Sequence, residues 1–242
     1  MSREFIIVIP ARYESSRFPG KPLIDINGKT MIYRVWEKCS MASNKEDVFV
    51  ATDDNKIKDH CDKHGMNVIM TSKKCLTGTD RVSEVADKIN AEFYINVQGD
   101  EPLINPGDIT KVIESYRKTP DLTYCAMTSI DSEEDYFNKN IPKVVVRNDG
   151  NLLYISRSGL PANKDGTSMP TMKQVCIYAF PKPHLKEFGI AKAKTNLESS
   201  EDIELLRLLE LGHKIRMVEV SNSSIAVDTP QDLEKVLLKI ND

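Results

Sequence analysis

The run Phe93-Tyr94-Ile95-Asn96-Val97, followed at once by Gln98-Gly99-Asp100-Glu101-Pro102, constrains the fold more than any other stretch. Its first part is apolar and β-prone, the pattern of a strand buried on both faces. Such a strand needs helices above and below its sheet, and the surrounding chain alternates accordingly. Further strand-like runs lie at Phe5 to Ile9, Val48 to Ala51, Asn67 to Met70 and Leu122 to Thr128. Between them, Met31, Ile32, Val35, Trp36 and Cys39 place an amphipathic helix over Lys29 to about Ala42, with Trp36 in the core. Helices are also predicted over Lys56 to His64, through Val82, Val85, Ala86 and Ile89, and over Pro106 to Lys118. This β-α-β-α order predicts an α/β fold, a doubly wound and mostly parallel sheet.

Open sheets of this kind bind ligands beyond the carboxyl ends of their strands. Asp100 stands at such an end, held by the strand yet wetted. A hard cation such as Mg²⁺ wants that kind of oxygen ligand, preferably shared with phosphates. The alternative is an ordinary turn acid. The same logic recurs at Ile225-Ala226-Val227-Asp228-Thr229-Pro230: an apolar run, then an acid. Thr229 as N-cap and Pro230 at the first helical position start the final helix, Gln231 to Ile240. Asp228 precedes that cap, so the helix does not need it, and it is the candidate second metal ligand.

The first strand empties into Pro10-Ala11-Arg12-Tyr13-Glu14-Ser15-Ser16-Arg17-Phe18-Pro19-Gly20-Lys21-Pro22-Leu23. This loop matches neither the G-x-G-x-x-G of a dinucleotide fold nor a P-loop. Its chemistry still suits a polyphosphate: Arg12, Arg17 and Lys21 can neutralise anionic oxygens, while Ser15, Ser16 and loop amides can donate hydrogen bonds. At Thr77-Gly78-Thr79-Asp80-Arg81, Thr79 or Asp80 is expected to cap the following helix, with nucleobase recognition as the alternative.

The pattern changes beyond residue 140. Val144 to Val146 and Leu152 to Ile155 flank an Asp149-Gly150 turn, a strong hairpin signal. Ser158 to Lys173 reads as loop, Val175 to Phe180 as a strand, a stretch opening at Glu198 as a helix with Leu205, Leu206, Leu208 and Leu209 inside it and Gly212 as its stop, and Ile215 to Val220 as a strand. A single domain over residues 1–242, in which about 140–180 form a lid or dimerisation lobe, is the simplest organisation.

Composition narrows the function. The 242 residues carry 33 basic and 36 acidic side chains, net −3, which argues against nonspecific nucleic-acid binding. No apolar run approaches the ~18 residues of a membrane span, and no signal-peptide pattern precedes the first strand, so a cytoplasmic protein without membrane association is expected. Five cysteines without C-x-x-C spacing fit reduced thiols there.

Six stretches carry a resemblance: Ile9 to Leu23, Ala51-Thr52-Asp53-Asp54, Gly78-Thr79-Asp80-Arg81, Asn96 to Ile104, Ser156-Arg157 and Val227-Asp228-Thr229-Pro230. In order and spacing they resemble the signatures of 3-deoxy-manno-octulosonate cytidylyltransferases (CMP-Kdo synthetases), over roughly residues 5–236. The resemblance implies a Rossmann-like nucleotidyltransferase fold, a homodimer, and Mg²⁺-dependent transfer of CMP from CTP to a 2-keto-3-deoxy sugar acid. It implies that Ala11, Arg12, Ser16, Arg17 and Lys21 line the nucleotide phosphates, that Arg81 and Gln98 surround the cytidine, and that Asp100 and Asp228 hold Mg²⁺. Lys21, Arg12, Asp100 and Asp228 are then the catalytic set. It also turns the reading of residues 78–81 from pure capping toward the base. Arg157, Gln174, Tyr178, Glu204 and Leu205 fall on the sugar-acid side, and there the chain departs from the family. Gln174-Val175-Cys176-Ile177-Tyr178 stands where the family commonly has His-Ile-Gly-Ile-Tyr, and Ile203-Glu204-Leu205-Leu206-Arg207 where it has Leu-Glu-Gln-Leu-Arg. The family's His before Ser-Gly-Thr-Asp-Arg is also absent near Cys75, Leu76 and Thr77. The expected acceptor is therefore Kdo or a Kdo-like acid. A different acidic sugar or nucleotide, or a non-catalytic nucleotide-binding protein on the same fold, is the alternative.

Overall fold

A computed structural model describes residues 3–14, 18–191 and 193–241. In chain order its elements are β1 (Arg3–Ala11), the short pair β2 (Asp25–Ile26) and β3 (Lys29–Thr30), α1 (Met31–Ala42), β4 (Val48–Thr52), α2 (Asn55–Lys63), β5 (Asn67–Met70), α3 (Gly78–Lys88), β6 (Ala91–Val97), α4 (Pro106–Lys118) and β7 (Thr123–Ser129). Then follow α5 (Glu133–Phe137), β8 (Lys143–Val146), β9 (Leu152–Ser156), β10 (Met172–Pro181), α6 (Lys182–Ile190), α7 (Asn196–Glu201), α8 (Leu205–Glu210), β11 (Ile215–Glu219) and α9 (Pro230–Asn241).

The described residues form a nine-stranded sheet with the main order β11-β7-β10-β6-β1-β4-β5. The pairs β1–β6, β1–β4, β4–β5 and β7–β11 are parallel, while β10 runs antiparallel between β6 and β7. Alternation along β1 shows why both faces must be covered. Ile7 and Ile9 enter a core with Ile32 and Val35 of α1 and Ile109 and Val112 of α4. Ile6 and Val8 enter the opposite core with Val82 and Val85 of α3, Phe188 of α6 and Leu206 of α8. The doubly wound reading is thus observed.

The predicted hairpin forms as β8 and β9, turning through Gly150 at φ +80°. It is not separate from the sheet: β8 pairs with the start of β10, Val144 opposite Met172. Three expectations need correction. The N-cap of α3 is Thr77, not Thr79 or Asp80. Thr77 accepts from the Asp80 amide while Asp80 accepts from the Thr77 amide, a reciprocal box that uses Asp80 as its third helical residue. The helix expected from Glu198 through Leu209 is two helices, broken at Asp202, which takes φ +51°. Asp tolerates that conformation, and the break lets the Glu201 and Asp202 carbonyls turn to Arg157. Finally, Ile225 to Val227 forms no strand, although the helix behind it starts at Pro230 as predicted. Among the described residues no helix is long and apolar enough to cross a membrane.

Candidate active site

The rim above β1 and β6 is built on a close approach. A Cβ on Gly99 would lie 2.9 Å from the Pro10 carbonyl oxygen, so only glycine lets the turn after β6 fold against the end of β1. Ala11, 5% exposed, closes β1, and Arg12 emerges into solvent just beyond it. Ser16 and Arg17 lie outside the described residues. The loop returns at Gly20, whose N–H donates to the Tyr13 carbonyl at 2.9 Å and whose φ of +72° turns the chain into Lys21.

Lys21 joins the two acids singled out in the sequence. Its Nζ stands 2.9 Å from Asp100 Oδ2 and 3.3 Å from Asp228 Oδ1, and donates to the Val227 carbonyl at 2.8 Å. Burial alone would push the ammonium's pKa down; the two carboxylates outweigh it and leave it raised. The Asp100 and Asp228 side chains keep 28% and 27% of their surface exposed. Residues 79 and 128 positions apart from their partners in sequence are thereby gathered at one point where a cation already sits. This donor set fits a hard divalent ion: two carboxylates converge, and the open side leaves room for phosphate oxygens as further ligands. Among the described residues no three His, Cys, Asp or Glu side chains gather in a way that would hold a metal without such help.

Beside this point lies the surface expected to read the base. A Cβ on Gly78 would meet the Gln98 amide at 2.7 Å and the Pro10 ring at 3.1 Å, so the start of α3, the end of β6 and the end of β1 share one tight corner. Arg81 sits beneath it, 4% exposed. Its guanidinium is engaged with Asp53 (2.8 Å), the Thr71 hydroxyl (2.7 Å) and the Ser72 carbonyl (3.2 Å). It braces the ends of β4 and β5 against α3.

The expected sugar-side residues are not alike. Gln174 and Tyr178 lie on β10, and the Gln174 amide donates to the Tyr178 hydroxyl at 3.1 Å. The bulge in β10 between Val175 and Tyr178 falls beside them. Leu205 is 1% exposed, packed in the core on the α3 side of the sheet. Glu204 accepts from the Gly78 N–H (3.1 Å) and the Thr79 N–H (2.8 Å), and from the Thr79 hydroxyl, at the N-terminus of α3. Burial pushes its pKa up even though these donors pull it down. Arg157 differs most from expectation. The fork anticipated to grip a substrate carboxylate instead donates to three main-chain carbonyls, those of Glu201, Lys139 (3.1 Å) and Asp202 (3.0 Å). Ser156 donates to Glu201 at 2.6 Å in the same cluster.

Sequence reasoning missed Asp53 as the partner of Arg81, Glu101 behind Asp100, and the ion group at Arg207. Arg207 pairs with both oxygens of Glu198 (2.7 and 2.6 Å) and with Asp80 (2.7 Å), and lies 3.7 Å from the centre of the Phe188 ring. A cation inside the leucine-rich run Leu205-Leu206-Arg207-Leu208-Leu209 was the available signal, since such a residue must either reach water or find acids.

Comparison with known proteins matches this architecture. Residues 6–215 fit a family profile described as cytidylyltransferase. The 3-deoxy-manno-octulosonate cytidylyltransferase of Geobacter sulfurreducens is 42% identical over 245 residues, covering 96% of this chain and 98% of the relative. The 8-amino-3,8-dideoxy-manno-octulosonate cytidylyltransferase of Shewanella frigidimarina is 39% identical over 241 residues, covering 97% of each. The solved structure of CMP:2-keto-3-deoxy-manno-octonic acid synthetase complexed with CTP superposes with a TM-score of 0.90 at 38% identity, covering 98% of both chains. With the profile spanning most of its length and relatives near 40% identity from end to end, the chain belongs to the 3-deoxy-manno-octulosonate cytidylyltransferase family.

Proposed function

We propose that this protein transfers CMP from CTP to Kdo or a Kdo-like 2-keto-3-deoxy sugar acid, releases pyrophosphate, and depends on Mg²⁺. The observation that carries this reading is the Lys21 ammonium set between Asp100 and Asp228 at the rim of the sheet, next to the Gly78–Gln98 corner. Asp100 and Asp228 would hold the metal, which when bound supplies charge stabilisation and orientation for the triphosphate. The chain's own part is placement. Gln98 presents its amide to the base edge, with Arg81 fixing the floor below it. Arg12 and Lys21 offset the negative charge that builds on the phosphates. The sugar's anomeric hydroxyl attacks the α-phosphorus in line, a new oxygen–phosphorus bond forms as the bond to pyrophosphate breaks, and the hydroxyl proton is lost to solvent. The acceptor sits on the β10 side, beside Gln174 and Tyr178.

Two acceptors are favoured by specific observations. The relatives named for the 3-deoxy and the 8-amino-3,8-dideoxy acids are nearly equally similar to this chain. Gln174, tied to Tyr178, presents an uncharged amide where the family commonly places His. The decisive experiment measures pyrophosphate release from CTP with Kdo, 8-amino-3,8-dideoxy-Kdo and other keto-sugar acids, with and without Mg²⁺, and repeats it with ATP and GTP. We expect turnover with CTP, one Kdo-type acid preferred, and none without Mg²⁺. Equal use of a purine triphosphate, or silence with every keto-sugar acid, would defeat the proposal.

We also place the protein in the cytoplasm as a homodimer. Five free cysteines support a reducing compartment. Leu153 on β9 and Phe137 at the end of α5, 60% and 54% exposed, support a dimerisation surface on the hairpin lobe, which light scattering on the purified protein tests.

A further inference from the structure

Asp228 is the member of the acid pair that lies outside every strand and helix, with its N–H donating to Asp232 in the first turn of α9 at 3.1 Å. Asp100 follows closely on β6, in the middle of the sheet. Asp228 sits in the irregular stretch between the end of β11 at Glu219 and the start of α9 at Pro230. Two carboxylates serve one cation only if their separation is fixed to a fraction of an ångström. Something outside the strands must fix it.

Besides the Lys21–Asp228 pair, hydrogen bonds tie residues 224–228 to the rim. The Val227 N–H donates to the Asp100 carbonyl at 2.9 Å, and Lys21 donates to the Val227 carbonyl at 2.8 Å. The Ser224 hydroxyl also donates to Oε2 of Glu101. Glu101 is 3% exposed, buried beside the rim that its neighbour Asp100 lines. Its other oxygen accepts the Cys176 N–H of β10 at 2.9 Å, and the Cys176 carbonyl in turn accepts the Gln98 N–H at 3.2 Å. One carboxylate is thus fastened to the sheet by one oxygen and holds the irregular segment with the other. Both partners are neutral donors, one on the sheet and one on the irregular segment.

We infer that Glu101 is a positioning residue: by bridging Cys176 of β10 to Ser224 it sets the separation of Asp100 and Asp228, and so the affinity of that pair for a divalent cation. The inference rests on the reading of Asp100 and Asp228 as metal ligands. Residues that orient metal ligands without touching the metal typically control affinity by 10- to 100-fold.

The test is Mn²⁺ binding to the full-length protein with CTP present and no acceptor, followed by the electron paramagnetic resonance signal of free Mn²⁺ against a CTP-only baseline, which needs no turnover. Wild type is compared with Glu101→Ala, Glu101→Gln and Ser224→Ala, each checked by its melting curve. Glu101→Ala and Ser224→Ala should weaken Mn²⁺ binding by ~10-fold or more. Glu101→Gln keeps an acceptor for the Cys176 N–H and a polar group for Ser224, and should bind Mn²⁺ close to wild type. Folded Glu101→Ala and Ser224→Ala variants with wild-type affinity would overturn the inference and leave the aspartates' role standing. If Glu101→Ala does not fold, Ser224→Ala decides alone. A well-folded wild type that binds no Mn²⁺ would instead remove the reading of Asp100 and Asp228, and the inference with it.

Discussion

Two places in this molecule have the same charge recipe, one cation between two carboxylates, and opposite designs. At the rim, Lys21 stands between Asp100 and Asp228, whose side chains keep about a quarter of their surface in water. Between α3, α7 and α8, Arg207 stands between Asp80 and Glu198 with no exposure of its own. The cations differ as the settings do. An ammonium is a compact point charge on a flexible stem that another cation can replace. A guanidinium is a rigid fork that locks its partners, here holding Glu198 through two bonds. On the function proposed above, the rim group exchanges its cation for a metal ion, whereas the buried group keeps its own.

Removing the buried cation should have the largest effect. Arg207→Ala leaves two carboxylates in the interior without their partner and is expected to cost about 3–5 kcal/mol of stability, read from urea unfolding. Turnover per folded molecule should stay near wild type. A loss below about 1 kcal/mol would mean that the group tolerates exchange after all, and the contrast with the rim would dissolve.

At the rim the loss should fall on chemistry. Asp100→Asn and Asp228→Asn are each expected to lower turnover by at least ~100-fold, about 2.7 kcal/mol in the barrier, with the melting temperature nearly unchanged. Near-normal turnover in a folded Asp100→Asn protein would take Asp100 out of the site.

The smallest effect sharpens the boundary between the two designs. Arg157 was expected at the acceptor, yet its guanidinium donates to three main-chain carbonyls. Arg157→Ala should cost about 1.5–3 kcal/mol of stability and leave the KM for the sugar acid unchanged. A raised KM with stability intact would return Arg157 to the acceptor side.

That contrast also separates what the sequence disclosed from what it hid. Apolar runs marked β1, β4 and β6 within a residue or two, because a strand buried on both faces must be continuously apolar, and the edge strand β5 followed the same pattern. The convergence of Lys21 and Asp100 was legible because each follows or returns to a strand end, where an open sheet presents its ligands; Asp228 was picked out by its place just before a helix cap that does not need it. Arg81 and Arg157 were harder. A charged side chain near a site looks the same in sequence whether it faces the ligand or is consumed by Asp53 or by the carbonyls of a broken helix. The break itself hid behind the helical spacing of Leu205, Leu206 and Leu209, which a left-handed Asp202 interrupts without altering composition. Glu101 hid beside Asp100: two adjacent acids read as one feature, while Asp100 pairs with Lys21 and Glu101 accepts from Cys176 and Ser224.

The reversed direction of β10 has a further consequence. In a parallel sheet every strand delivers its last residues to the ligand rim, and whatever precedes it arrives from the far side. Because β10 runs against β6, with Ile177 opposite Val97, its early residues Gln174 and Cys176 come to that rim, and the hairpin and loop that lead into it enter from the ligand's own side. Chain length and shape before residue 174 can therefore change around the acceptor without moving a single strand beneath the triphosphate. On the proposed reading, the direction of one strand thus separates the choice of what is activated from the machinery that activates it.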